Sequence, residues 1–348
     1  MGAALTLVLL PVLGSALLVA AMNPVQRVAL VGKSSPTLYL SACYAAATAG
    51  FVGLYLLWWG LSAPQQLQNG FWRAAIAAGA INIGIQYLHA KALSYKQGEV
   101  SLVTLLSALT PGLVTLLALT LGEVPGWVGV AGIGCIVIGS WVLLSKEEPA
   151  HWWQWWVYLR PLQVLSLFLE YGSLDERDRE RAKVVALGLG SAALSTFGLL
   201  AVGLYVRRAG DFQGMWVGIT LNWAIVGAAF ILLNLRRPLA LLAEWHRQWG
   251  VFGLAAVGYA ALLVGANYLE VPVFGETFVA YVGTLNRTRI LFGVLLVWAL
   301  AKLGSTLFRE QHLKRRFVAA IVMLLGATLI TSEGLPERLT DRFEIFGF

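Results

Sequence analysis

Long apolar runs, separated by short polar or Gly/Pro breaks, account for most of the chain. About ten of these runs approach the ~20 residues that a helix needs to cross the hydrocarbon layer of a membrane. They lie near residues 4–22, 37–60, 70–91, 100–121, 126–145, 184–206, 214–234, 250–269, 277–301 and 316–332. Because a membrane-spanning segment must satisfy its own backbone hydrogen bonds, the pattern predicts an all-α polytopic membrane protein with about ten transmembrane helices.

Composition strengthens this prediction. Hydrophobic residues make up 58% of the 348 positions and charged residues 12%, against about a quarter charged in a soluble domain. The first run has no basic segment before it, so it is interpreted as a transmembrane helix rather than a cleaved signal peptide. The net charge of +7 is attributed to loops on the cytoplasmic side and not to a nucleic-acid partner.

Residues typical of an enzyme are missing from the sequence. There is no phosphate-binding loop, and the four histidines do not show the spacing of metal ligands. Cys43 and Cys135 both fall inside apolar runs, where packing is the expected use of a cysteine. The sequence therefore predicts a protein that is not an enzyme and that holds neither a metal nor a cofactor.

A polar interval divides the apolar runs into two sets of five. The sequence thus predicts a first five-helix repeat over 1–145, a linker over 146–183, a second five-helix repeat over 184–332 and a polar C-terminal tail over 333–348. The linker begins with a tryptophan-rich stretch that suits a helix lying in the headgroup region, and it ends in a solvated run of charges.

The two halves resemble each other near their ends. Each has a helix with scattered polar residues, a loop with a glutamate (Glu123 or Glu310) and a final helix that is glycine-patterned around Gly139 or Gly326. With five spans per half, the second copy enters from the opposite face, which predicts an inverted repeat. Both glutamates are assigned to capping the following helix, whose N-terminus attracts negative charge, and the alternative role is proton coupling.

Charge placement predicts an orientation. Eighteen Lys and Arg residues fall in the loops after the odd-numbered spans, and five fall on the opposite side. By the positive-inside rule both termini lie outside the cytoplasm, and the expected location is a bacterial inner membrane.

Short motifs in both halves carry a family resemblance. They are KALSY at 91–95, Pro111 within the fourth span, LGE at 121–123 and the glycine-studded fifth span, with FRE at 308–310 and LLGATLI at 324–330. On these motifs the chain resembles the drug/metabolite transporter superfamily, and specifically its ten-span EamA-like members, most strongly over 90–145 and less so over 250–332. The resemblance implies two inverted five-helix repeats around a central cavity, and movement of substrate by alternating access.

Two arginines interrupt the ninth apolar run, near a position where that family tends to have a proline. An arginine at the centre of a span costs about 2.5–3.5 kcal/mol on insertion scales, so it usually faces a wet cavity or a partner. Arg287 and Arg289 lie about 200° apart around a helix and cannot both face one cavity squarely. Arg289 and Asn286 are therefore assigned to the cavity, and Arg287 to contact with a neighbouring helix.

Three roles for these arginines stay open. The planar guanidinium of Arg289 suits a carboxylate or phosphate of an anionic substrate, through two parallel hydrogen bonds. Alternatively, the arginines form an internal ion pair with Glu270 or Glu276 of the adjacent turn NYLEVPVFGETF. In the third interpretation the ninth span starts later, and both arginines reach a lipid headgroup phosphate.

Further polar residues mark a candidate path through the membrane. Asn82, Gln86 and His89 follow the i, i+4, i+7 spacing of one helix face. They can line an aqueous path, with His89 as a candidate for proton exchange, or they can form hydrogen bonds between helices. Asn222 in the seventh span and Asn267 at the end of the eighth are further cavity candidates.

Together these features predict a secondary transporter that moves a small or lipid-linked anionic metabolite by alternating access, in contact with membrane lipid. The alternative is a non-transporting subunit of a larger complex on a transporter-like scaffold. Such a subunit would dock to a protein partner through 146–183 and the C-terminal tail.

Overall fold

The computed structural model describes residues 2–31, 35–110, 112–113, 117, 126–144, 175–235, 238–276, 288–304, 308 and 313–332. Within these residues the chain is all-helical, without a strand. The α-helices are α1 Gly2–Leu30, α2 Pro36–Trp59, α3 Phe71–Ser94, α4 Val100–Leu106, α5 Trp127–Leu144, α6 Glu176–Arg208, α7 Phe212–Asn234, α8 Pro238–Glu276, α9 Arg289–Lys302 and α10 Leu313–Ser332. A short 3-10 helix, Ser107–Leu109, continues α4.

Within the described part of the chain, five stretches of helix are long and apolar enough to cross a membrane. They are Leu10–Leu30 within α1, all of α2, α6 and α7, and Phe252–Glu270 within α8. The chain is therefore an integral membrane protein, as its sequence predicted. The helix α3 is not one of the five, since it carries Asn82, Gln86 and His89 among its small residues.

A helix occupies each of the ten predicted spans over part or all of its length, but several boundaries differ, among them the start of α6 and the end of α8. The start of α6 lies inside the predicted charged run, because the carboxylate of Asp175 accepts a hydrogen bond from the N–H of Asp178 at 2.7 Å and caps the helix. The acidic side chains of Glu176 and Asp178 in the first turn favour this start. The predicted turn at Asn267 is wrong, since α8 continues to Glu276.

The helices pack as antiparallel pairs. At one end of the pair α2 and α7, the Thr37 hydroxyl donates to Asn234 Oδ1 at 3.0 Å. At the other end, Gln213 Nε2 donates to the Tyr55 hydroxyl oxygen at 3.0 Å. The other main pairs are α1 with α8, α3 with α6 and α5 with α10. Contacts of α3 with α7 and α2 with α8 join the first three pairs, and α9 connects them to the fourth, since it packs against both α1 and α10.

A buried arginine holds the end of α1 against the end of α3. Arg27 is 5% exposed, and its Nη1 donates to the carbonyl oxygens of Leu93 at 2.7 Å and Tyr95 at 2.5 Å. Its Nη2 donates to the carbonyl oxygen of Lys96 at 2.9 Å. Because the last carbonyls of a helix lack partners within it, this contact satisfies them and places Asn23, one turn before Arg27, beside α3.

Glycines let α5 and α10 approach each other closely. A Cβ built on Gly326 would lie 2.6 Å from the carbonyl oxygen of Gly132, and one built on Gly139 would lie 2.4 Å from Met323 Cγ. Since lipid is as apolar as a helix surface, close packing of this kind is a main source of helix association in membranes.

We expect Gly326→Ala to lower the melting temperature of the purified protein in detergent, because the new methyl group overlaps the backbone of α5. Overpacking of this kind costs about 1–3 kcal/mol. Gly134→Ala in α5 is the matched control, since a Cβ there would meet nothing within 4 Å among the described residues. Equal melting temperatures of the two variants would contradict the close approach of α5 and α10.

Candidate functional site

A cavity of about 340 Å³ lies inside the helix bundle. Its walls come from α1, α3, α4, α6, α7, α8 and α9, so both predicted halves contribute. Apart from the aromatic Tyr205, Trp223 and Tyr259, the polar side chains among the described lining residues are Asn23, Asn82, Gln86, His89, Thr104, Ser107, Thr110, Ser191, Ser195, Asn222, Asn267, Glu270 and Arg289. The volume lies at the small end of the range of about 300–1,000 Å³ that is typical of small-molecule sites.

The polar face predicted for α3 lines this cavity. Asn82, Gln86 and His89 all contribute to its wall. The helix α6 packs closely behind them, since a Cβ on Gly198 would lie 3.0 Å from Ile85 Cδ1. The Gln86 amide forms no hydrogen bond within the described part of the chain, so it is available to a solute or to water.

A chain of hydrogen bonds fixes His89. Its Nε2 lies 3.0 Å from Asn23 Oδ1, and Asn23 Nδ2 donates to Thr104 Oγ1 at 2.8 Å. The Thr104 hydroxyl in turn donates to the carbonyl oxygen of Val100 at 2.7 Å. Since an amide oxygen only accepts, His89 donates from Nε2, and Nδ1 of the neutral ring is an acceptor.

A further hydrogen bond crosses from α3 to α7. Asn82 Nδ2 donates to Asn222 Oδ1 at 2.9 Å, and Asn222 is 3% exposed. Beside it, Trp223 stacks on Tyr44 of α2 with ring centroids 5.2 Å apart. The Tyr44 hydroxyl lies 2.9 Å from that of Tyr259 on α8. Asn82 and Asn222 therefore both line the cavity and connect helices of the two halves.

Arg289 lines the cavity from the first turn of α9. This start differs from the predicted span of 277–301, of which residues 277–287 lie outside the described residues. One turn after Arg289, Gly293 brings α9 onto α4, since a Cβ on Gly293 would lie 3.2 Å from Thr104 Cγ2. His89 lines the same cavity as Arg289, and it is linked to the same threonine through Asn23.

Glu270 on α8 carries the opposite charge. The Ser15 hydroxyl of α1 donates to Glu270 Oε2 at 3.1 Å. The Glu270 carboxylate and the Arg289 guanidinium both line the cavity, which thus contains one group of each charge. Asn267 lies one turn before Glu270, and its Nδ2 donates to the carbonyl oxygen of Leu263 at 2.8 Å.

Five of the predicted site residues fall outside what the structure describes. Asn286, Arg287, Glu123 and Glu310 lie outside the described residues, and the side chain of Glu276 is not described. The predicted ion pair of Arg287 with Glu270 or Glu276 and the two predicted helix caps therefore stay predictions.

The sequence patterns did not predict Asn23 and Thr104 as residues of the site. Asn23 follows the predicted end of the first span at 22, but α1 continues to Leu30. Thr104, Ser107 and Thr110 all line the cavity. Their spacing of three residues is typical of one helix face and was a usable signal.

Comparison with known proteins bears on the fold alone. No family model and no curated protein matches the chain. Eleven chains of solved structure match it. One of them, a protein known from its crystal structure, matches over 97% of this chain and 99% of its own length, with 16% sequence identity and a TM-score of 0.51. At this identity the match shows a shared helical architecture, and the drug/metabolite transporter resemblance stays a prediction.

We expect Asn82 and Asn222 to be energetically coupled. A double-mutant cycle of Asn82→Ala and Asn222→Ala, followed by unfolding in detergent, should give a coupling near the ~0.6 kcal/mol average for interhelical hydrogen bonds in membranes, with an upper bound of ~1.7 kcal/mol. Asn82 and Asn267 form the control pair, since they share the cavity but no hydrogen bond. Additive effects in the first pair would contradict the contact between α3 and α7.

Proposed function

We propose that the chain is a secondary transporter that moves a small metabolite bearing an anionic group by alternating access. The observation that carries this proposal is the polar cavity of about 340 Å³ between the two predicted halves, with Arg289 in its wall. Unsatisfied polar groups are costly among membrane helices and usually mark a substrate or ion pathway. A polar space of this size therefore favours a function that uses it.

The packing of the helices supports two inverted five-helix repeats. An inverted repeat relates each helix of the first half to the helix five places later, so that α1 corresponds to α6 and α3 to α8. This exchange converts the pair α1 and α8 into the pair α6 and α3, and both pairs are in contact. The same exchange converts α2 with α8 into α7 with α3, and it leaves the pairs α2 with α7 and α5 with α10 unchanged. Inverted repeats hold their substrate at the repeat interface, and the cavity has walls from both halves.

In this proposal the chain crosses the membrane ten times, once in each predicted span. Its two termini then lie on one side of the membrane. The excess of Lys and Arg after the odd-numbered spans, eighteen against five, favours a position of both termini outside the cytoplasm of a bacterial inner membrane.

Arg289 is the proposed anion-binding residue. A guanidinium in a partly dry cavity forms two parallel charge-assisted hydrogen bonds with a carboxylate or a phosphate. The amides of Asn82 and Gln86 in the same cavity offer donors and acceptors to the rest of the solute. The cavity volume favours a small solute over a lipid-linked one, because it lies at the small end of the range of ligand pockets.

Transport requires that the cavity open to each face in turn. In inverted-repeat transporters one repeat rocks against the other around a fixed site. The contact of α3 with α7, which contains the Asn82 and Asn222 hydrogen bond, belongs to the surface between the two halves. Its moderate strength is compatible with such a motion.

A non-transporting subunit is the alternative proposal. Most of the sequence that suggested docking to a partner, namely 146–174 of the linker and the tail at 333–348, lies outside the described residues. The following experiment decides between the alternatives.

We expect Arg289→Gln to slow transport. Lipid vesicles that contain the protein are loaded with an isotope-labelled extract of small metabolites, and the compounds released into buffer are identified by mass spectrometry. Wild-type protein should speed the release of at least one carboxylate or phosphate compound. Arg289→Gln should reduce this release about 10- to 100-fold, because a hydrogen bond to a charged group contributes about 1.5–3 kcal/mol.

Arg73→Gln is the matched control, since Arg73 is an exposed arginine of α3 that does not line the cavity. Wild-type release equal to that of protein-free vesicles would contradict transport and favour the non-transporting subunit. Equal release by wild type and Arg289→Gln, at matched protein content and melting temperature, would contradict the anion-binding role alone.

A further inference from the structure

Glu270 places a negative charge in the cavity that holds the proposed anion site. It lies on α8, and Arg289 lies at the start of α9. Among the described residues that line the cavity, Glu270 alone carries a carboxylate. A negative charge beside an anion site repels the incoming solute, so anion binding by itself does not account for it.

We propose that Glu270 is the internal counterion of Arg289 in the empty carrier, and that it allows the protein to complete its cycle without a bound anion. This inference rests on the proposed function, because it assigns Glu270 a role in the same transport cycle.

The energetic reason lies in the position of Arg289 in the wall of a cavity inside the helix bundle. An arginine without a counterion is costly inside a membrane, and the cost rises when the cavity closes and loses its water. A bound anion neutralises the guanidinium during the loaded half of the cycle. During the empty half another negative charge must take its place, because otherwise the closed state is too unfavourable to pass through.

The contacts of Glu270 suit this role. Its carboxylate and the Arg289 guanidinium line the same cavity, while the Ser15 hydroxyl donates to Glu270 Oε2 at 3.1 Å. The helix α1, which carries Ser15, packs against both α8 and α9. Glu270 is therefore held by α1 in the cavity that Arg289 also lines, where it can compensate the charge of Arg289 when no solute is bound.

A contact between Glu270 and a cationic group of the solute would have the opposite consequence. Removal of the Glu270 charge would then weaken solute binding, and both net release of the solute and its exchange across the membrane would slow. A counterion instead competes with the solute anion for Arg289. Removal of its charge leaves loaded transport intact and traps the empty carrier.

The test compares net release with exchange. Vesicles with wild-type or Glu270→Gln protein are loaded with the isotope-labelled metabolite extract and placed in buffer or in the same extract without label. In exchange the carrier returns with a bound anion, whereas net release requires the empty carrier to return. We expect Glu270→Gln to slow net release about tenfold or more and to keep exchange within about twofold of wild type.

Two control variants accompany Glu270→Gln. Glu270→Asp keeps the charge and should restore part of the net release, and Glu176→Gln at an exposed position of α6 should change neither rate. Loss of both net release and exchange in Glu270→Gln, or net release at the wild-type rate, would overturn the counterion role. No release and no exchange by the wild type would instead overturn the proposed transport.

The melting temperature of the empty protein tests the counterion independently of transport. Glu270→Gln removes the proposed counterion of Arg289 and should lower the melting temperature. The double variant Glu270→Gln/Arg289→Gln removes both charges and should raise it again. A double variant no more stable than Glu270→Gln would overturn the proposal, even where Glu270→Gln itself folds poorly.

Discussion

A polar group inside a membrane must find a partner in the protein or in a water-filled space, and this requirement organises the described structure. Arg27 meets it by capping α3. Arg316, 2% exposed, meets it through an ion pair with Glu99 and a hydrogen bond of 2.6 Å to Ser101. The partners of both arginines lie between the end of α3 and the start of α4. Arg289 differs because it lines a cavity, and in our proposal its charge is compensated in turn by the solute and by Glu270.

The helices could be predicted because apolar length and the demands of the backbone leave few alternatives in a membrane. Their ends depend on contacts that hydropathy does not record. The helix α1 passes its predicted end at 22 and continues to Leu30, since the carbonyl groups at the end of α3 bind the Arg27 side chain. The helix α6 starts early because Asp175 caps it. Such contacts join residues far apart in sequence, or depend on one capping side chain.

The candidate site could be predicted where its residues share one helix face, as Asn82, Gln86 and His89 do, or where a charge interrupts an apolar run, as Arg289 does. Asn23, Thr104 and Ser15 were missed because their importance comes from partners on other helices, namely His89 and Glu270. Hydrophobic periodicity records which face of a helix is polar. It does not record which helices turn their polar faces toward one another.

Alternating access is tested most directly by the accessibility of one cavity residue from both faces of the membrane. Gln86 lines the cavity and forms no hydrogen bond within the described residues, so Gln86→Cys leaves those contacts intact. Cys43 and Cys135 are first replaced by serine, and the protein is inserted in one orientation into lipid vesicles. We expect a membrane-impermeant thiol reagent to label the new cysteine when it is added to either face. Labelling from one face alone, or from neither, would contradict alternating access around this cavity.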